Sequence, residues 1–187
     1  MPRGHNAGRS TSAGAWAAIN ALQAADRTRP SDETLSRYDA TAPIVPSKNV
    51  VHFAWFKAQA SETKHSIYLP TDQAAAGLTA AYVALYSTGG ATLSRMAISD
   101  NAFALFNGIL NPIISIPATP VIAGNMYAVA CVFVGTAAPT VYGCYPSFNQ
   151  TLISPEVSGS ILLDVPPLSV LKSALTNDAA YRMQITS

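Results

Sequence analysis

Beyond residue 50, polar and apolar side chains alternate with a period close to two through segment after segment. Val51, Phe53 and Trp55 alternate with His52 and Ala54, the pattern of a β-strand. Further strands are predicted at residues 62–69, 78–87 and 93–99, with Val83 and Leu85 on one face of the second of these and Tyr82 and Tyr86 on the other. Thr88-Gly89-Gly90-Ala91 supplies a hairpin turn after it. Residues 125–134 give the strongest strand signal. Tyr127, Val129, Cys131 and Phe133 share one face, while Val132 and Val134 make the other face apolar as well, as a central strand requires. Shorter strands are predicted at 113–116 (between Pro112 and Pro117), 140–145, 161–165 and 181–186, and residues 100–107 form one helical turn or a loop. Roughly nine or ten short strands without β-α alternation predict an all-β fold, a jelly-roll-like antiparallel β-sandwich.

The first 48 residues follow different rules. Ser12 can cap a short helix on which Trp16, Ile19 and Leu22 recur at helical spacing among alanines. So little apolar surface does not hold a helix in water by itself, so it must dock. Its partner is either the chain's own β-body or another protein, with Trp16 as the anchor. Residues 27–48 are polar and punctuated by Pro30, Pro43 and Pro46, which reads as an extended linker with room for one helical turn after Ser31. The predicted organisation is a helical arm (1–26), a linker (27–48) and a β-sandwich domain (49–187).

Composition narrows the function. Charged residues make up 11% of the chain, against about 25% in ordinary soluble domains. Between Asp72 and Glu156 the only charges are Arg95 and Asp100. Such a surface is either solvated by hydroxyls and amides or covered by neighbouring subunits. The net charge is +1 and the cations are scattered, so no nucleic-acid partner is expected. Apolar runs such as 126–134 fall short of the roughly 18–20 residues of a membrane span, so no membrane insertion is expected. The N-terminus lacks the apolar core of a secretory signal. Cys131 reads as a buried thiol in an apolar strand, with a Cys131–Cys144 bridge as the alternative.

Reactive groups are sparse. His5, His52 and His65 have no Cys or carboxylate at ligand spacing, so neither a metal nor another cofactor is expected. The carboxylates Glu62, Asp72, Asp100, Glu156 and Asp164 carry no pairing signature and there is no nucleophile elbow, so no enzymatic activity is expected. Aromatic residues carry the better signal. Tyr142, Tyr145 and Phe148 cluster with Asn149 and Gln150. Rings flanked by amides suit a sugar, offering apolar area and orienting hydrogen bonds. The set Tyr142, Tyr145, Phe148 and Asn149 is therefore a candidate glycan-contacting surface, the plain alternative being loop aromatics that cap the core.

Three pieces in order carry a resemblance: TAAYVALYSTGGATLSRMAISD, then NAFALF, then IAGNMYAVACVFVGTAAPTVYG. Together residues 78–143 resemble a β-sandwich module of minor tail and tail-fibre proteins of bacteriophages that infect actinobacteria. The resemblance implies a virion structural protein, a small tail component contributing to host attachment. Its expected partners are copies of itself (a trimer or larger ring), neighbouring virion proteins engaged through Trp16, Ile19 and Leu22, and host cell-wall glycan. Such modules often end a longer fibre, whereas here a short helix and linker precede it, which leaves a capsid decoration or head-fibre protein as the alternative on the virion. A stand-alone carbohydrate-binding module is the alternative of another class.

Overall fold

The computed structural model describes residues 32–34, 40, 42–144, 158–176 and 179–187. Fourteen strands run through them. In chain order they are β1 (Asp32–Glu33), β2 (Ala42–Ile44), β3 (Val50–Lys57), β4 (Glu62–Tyr68), β5 (Thr71–Gln73), β6 (Ala76–Gly89) and β7 (Thr92–Ile98). After a one-turn helix α1 (Phe103–Phe106) come β8 (Ile113–Val121), β9 (Met126–Ala137), β10 (Thr140–Cys144), β11 (Ser158–Leu162), β12 (Ser169–Leu171), β13 (Ala180–Tyr181) and β14 (Gln184–Thr186). The protein is an all-β, jelly-roll-like antiparallel sandwich. One layer is a six-stranded sheet, β11-β3-β9-β6-β7-β12; opposite it lie β1-β14-β4-β8 and β13-β10-β2, with β5 also on β10.

The two faces of the large sheet follow from period two. Val83 pairs with Cys131 and Leu85 with Val129, and all four point into the core between the layers, where Ile67, Ile114, Val141 and Ile185 meet them. Tyr82, Ala84 and Tyr86 point to the opposite face with Phe53, Trp55, Ala128 and Ala130. Here the alanines of the middle strands leave room for rings: Phe53 meets Tyr86 edge-on, with ring centroids 5.2 Å apart. As expected of a central strand, β9 is flanked by β3 and β6. At its far end Gly135 (φ +144) passes so close to Gly77 and Leu78 that a Cβ would lie 2.4 Å from the Gly77 carbonyl oxygen, so only glycine fits. Gly90 (φ +53) takes the first position of the two-residue hairpin loop between β6 and β7.

The DNAFALFN segment does form a helical turn. Phe106 enters the core and meets Phe133 edge-on at 5.0 Å. The carboxamides of Asn101 and Asn107 accept from the backbone N–H groups of Ala81 and Leu78, so side chains complete the free side of β6.

Several expectations are corrected. The stretch read as a linker contributes β1 and β2 to the body: Asp32 pairs with Ile185, and Pro43 with Tyr142. β8 continues through Pro117 and Pro120, which is tolerated because β8 ends its sheet. The single strand expected at 181–186 is two, with Tyr181 pairing β10 in one sheet and Gln184–Thr186 pairing β4 in another. β5 and β12 were not foreseen. Cys131 is fully buried, and β9 and β10 belong to different sheets. The arm residues Trp16, Ile19 and Leu22 lie outside the described residues.

Candidate functional site

Two surface features have the chemistry of a contact site. The first surrounds Tyr142, the one member of the predicted aromatic set that falls among the described residues; Tyr145, Phe148 and Asn149 lie outside them. Tyr142 stands on β10, half-buried, its ring against Ala40 and Ala180. Its backbone N–H donates to the Pro70 carbonyl (3.2 Å), and its carbonyl accepts from the Arg182 N–H (2.9 Å). Its hydroxyl donates to Asp72 Oδ1 at 3.0 Å. That hydrogen bond, with the carboxylate's charge, raises the phenol's pKa and keeps it protonated. The ring is therefore held against Ala40 and Ala180 and through its hydroxyl, with the exposed Asp72 of β5 beside it. A fixed aromatic edge next to a carboxylate suits a polyhydroxylated ligand.

The second feature was not foreseen. A groove of about 590 Å³ is lined by Ser87, Thr88, Gly89, Gly124, Asn125, Met126, Tyr127 and Lys172. The end of β6, the turn into β9 and the 3-10 turn after β12 build it. Thr88 Oγ1 donates to the Met126 carbonyl (2.8 Å) and the Ile122 N–H donates to the Tyr127 hydroxyl (2.9 Å), which fixes its walls. Gly89 and Gly124 have open space where a Cβ would stand. In the sequence these residues read as strand ends and turn formers, which is why the groove was missed. β5 leads into the Ala76 end of β6 and the groove lies at the Gly89 end, with roughly 40 Å of strand between them.

The ionisable groups gather elsewhere, in a structural role. Lys64 is fully buried; its Nζ lies 3.0 Å from Asp32 Oδ2 and 2.5 Å from Glu62 Oε1, and donates to the Ile185 carbonyl at 3.3 Å. Asp32 Oδ1 accepts from the Gln59 N–H at 2.9 Å. Beside them Glu33 pairs with Arg182 (3.2 Å) and accepts from Gln184. His52, also buried, lies edge-on to Tyr181 at 5.0 Å, with Nε2 3.1 Å from the Ser47 carbonyl. Among the described residues no three His, Cys, Asp or Glu side chains stand together as a metal cluster would.

The chain matches no protein-family model, and no curated protein matches it at a significant level.

Proposed function

We infer that this protein is a structural component of a bacteriophage virion, a small tail or tail-fibre part that contributes to host attachment. It works by contact, assembling with copies of itself and with neighbouring virion proteins, and meets host cell-wall glycan through the Tyr142–Asp72 end. One observation carries the reading: a weakly charged sandwich leaves Ile113, Leu162 and Leu168 at least 65% exposed. Large apolar side chains presented to water in this way mark surfaces that neighbours cover. The resemblance of residues 78–143 to tail modules supports it, since those residues run from β6 into β10 and include β6 and β9, the central pair of the six-stranded sheet. A decoration of the capsid is the second reading, favoured by the same exposed residues.

The experiment is to locate the protein. Antibody raised against the body should decorate the tails of purified particles from a host carrying the gene. Labelling of heads would favour decoration, and particles free of the protein would end both readings. For the glycan, Tyr142→Ala should reduce retention on host cell wall while the circular dichroism stays that of the parent; unchanged retention removes that surface.

A further inference from the structure

We propose that β1 is a latch, released by acid from the corner of the sandwich while the sandwich itself stays folded. The first ground is how β1 is held. It has two residues, Asp32 and Glu33, and its one strand partner is β14, through Ile185 and Gln184. Neither side chain is apolar, so hydrophobic burial adds little to its hold. Ionic and hydroxyl contacts supply the hold instead. Asp32, buried, lies 3.0 Å from the Nζ of fully buried Lys64 and accepts from the Gln59 N–H at 2.9 Å. Glu33 meets Arg182 at 3.2 Å and accepts from Gln184. Next along the chain, the Thr34 N–H donates to the Met183 carbonyl at 3.0 Å, and the Met183 N–H donates back to Thr34 Oγ1 at 2.9 Å. In a chain of which 11% is charged, three ion pairs share this one corner.

The second ground is what acid does to that corner. Lys64 has two counter-charges, Asp32 and Glu62. Once both take up protons, a fully buried cation is left without an anion, and an unpaired buried charge is strongly unfavourable. Water reaches the cation most readily by displacing the element with the fewest other contacts, which is β1. Protonation of Glu33 loosens the same strand from Arg182. The remaining ionisable groups nearby do not compensate. β14 carries none; β3 brings Lys57, exposed at its end, and His52, which lies against Tyr181; β4 also carries His65, exposed. Lysine and histidine supply no anion, so none of them replaces a lost carboxylate.

The central sheet has no such dependence. β6 and β9 are joined by pairs such as Val83 with Cys131 and Leu85 with Val129, and none of these side chains titrates in acid. Acid therefore acts on one small element and spares the body. The next described hold along the chain is Ala40, buried against Ala180 and Tyr142. Release gives the chain ahead of β1 residues 32–39 as added reach, roughly 25–30 Å at full extension.

The latch does not rest on the virion role, and its test needs no particle, so the two can fail separately. Hydrogen exchange of the full chain reads it. The amides of Thr34, Gln59 and Met183 report β1 directly, and those of Leu85 and Val129 report the central sheet. Between about pH 7 and about pH 3.5, protection relative to the intrinsic rate should fall at least about tenfold at the first three and hold at the other two. Asp32→Asn keeps an acceptor for Gln59 but loses the charge, and should lower protection of Thr34 and Met183 at least about tenfold at about pH 7. Asp32→Leu combined with Lys64→Met removes both buried charges and should keep these two amides protected in acid. Corner amides that lose protection only together with Leu85 and Val129 would overturn the proposal. So would a corner indifferent to acid, an Asp32→Asn chain as protected as the parent, or a double variant that opens in acid as the parent does.

Discussion

At the centre of the large sheet, β6 and β9 lie together over a ladder from Ala76 opposite Ala137 to Ser87 opposite Tyr127. At the corner of the smaller sheet, β1 has two residues and is held by Lys64, Arg182 and Thr34. The centre is redundant: many apolar pairs each contribute a little, and neighbours on both faces share the load. The corner concentrates its hold in a few charged and hydroxyl contacts, where each partner depends on the next. Thr34 shows the style. Its hydroxyl donates to the Tyr181 carbonyl at 2.7 Å and accepts from the Met183 N–H at 2.9 Å, so one side chain stands in for a strand neighbour. The centre should therefore degrade gradually under substitution, and the corner abruptly.

The largest effect is expected at Lys64. Lys64→Ala leaves the Asp32 carboxylate, 2% exposed, without its cation. Removing one partner of a buried pair costs about 3–5 kcal/mol, whereas replacing both by apolar groups of similar volume is near neutral. Urea unfolding should therefore show a severe loss for Lys64→Ala and recovery of most of it in Asp32→Leu combined with Lys64→Met. Leu85→Ala, in the ladder, should cost about 2–5 kcal/mol with no such partner rescue. Should the double variant be as unstable as the single one, the corner is held by shape rather than by charge.

The same contrast explains what could be read from the sequence. β3, β6, β7 and β9 were legible because each runs for seven residues or more, rich in β-formers and bracketed by turn residues. β1, β2, β5 and β12 have two or three residues apiece, too short for any period, and exist only because a partner strand receives them. The inward turn of Lys64 was hidden for a further reason. The β4–β8 register shifts between Lys64 and Ser66, a bulge that lets Lys64 and Ile67 both face the core although their numbering puts them on opposite faces. At the candidate site, Tyr142 was visible as an aromatic among turn residues. Its fixing partner Asp72 is distant in sequence, and pairing between β5 and β10 brings them together.

Tyr86 sits where the two styles meet, a ring in the apolar face of the central sheet with a hydroxyl that donates to the Pro167 carbonyl at 2.6 Å. Burial pushes its pKa far above the usual 10, only partly opposed by the Arg95 charge. A raised pKa means that the folded state favours the protonated form, so this stability is present below the unfolded value and is lost as pH rises beyond it. Stability measured from neutral pH upward should fall above about pH 10, the ordinary tyrosine range. Tyr86→Phe should flatten part of that fall while costing about 1 kcal/mol at neutral pH, the net value of one hydrogen bond. An alkaline limb of the same steepness in both proteins would show that Tyr86 is not the group responsible.

The smallest effect belongs to the corner's exposed rim and separates it from the corner's buried centre. Glu62 accepts from Lys64 and, less strongly, from the Ser187 hydroxyl, and these bonds hold its pKa below the usual 4.5 against a weaker opposing contribution from burial. A lowered carboxylate pKa contributes stability that is present above the unfolded value and lost as pH falls through the folded one. The corner should accordingly soften below about pH 4.5, with Glu62 contributing a few tenths to about 1 kcal/mol, the range of a partly solvated pair. Glu62→Gln should remove that share of the acid slope and leave neutral stability nearly intact, because the carboxamide still accepts from Lys64 and Asp32 still balances its charge. If Glu62→Gln instead proves as damaging as Lys64→Ala, the charge of Lys64 is shared across both carboxylates, and the distinction between a buried pin and its solvated rim disappears.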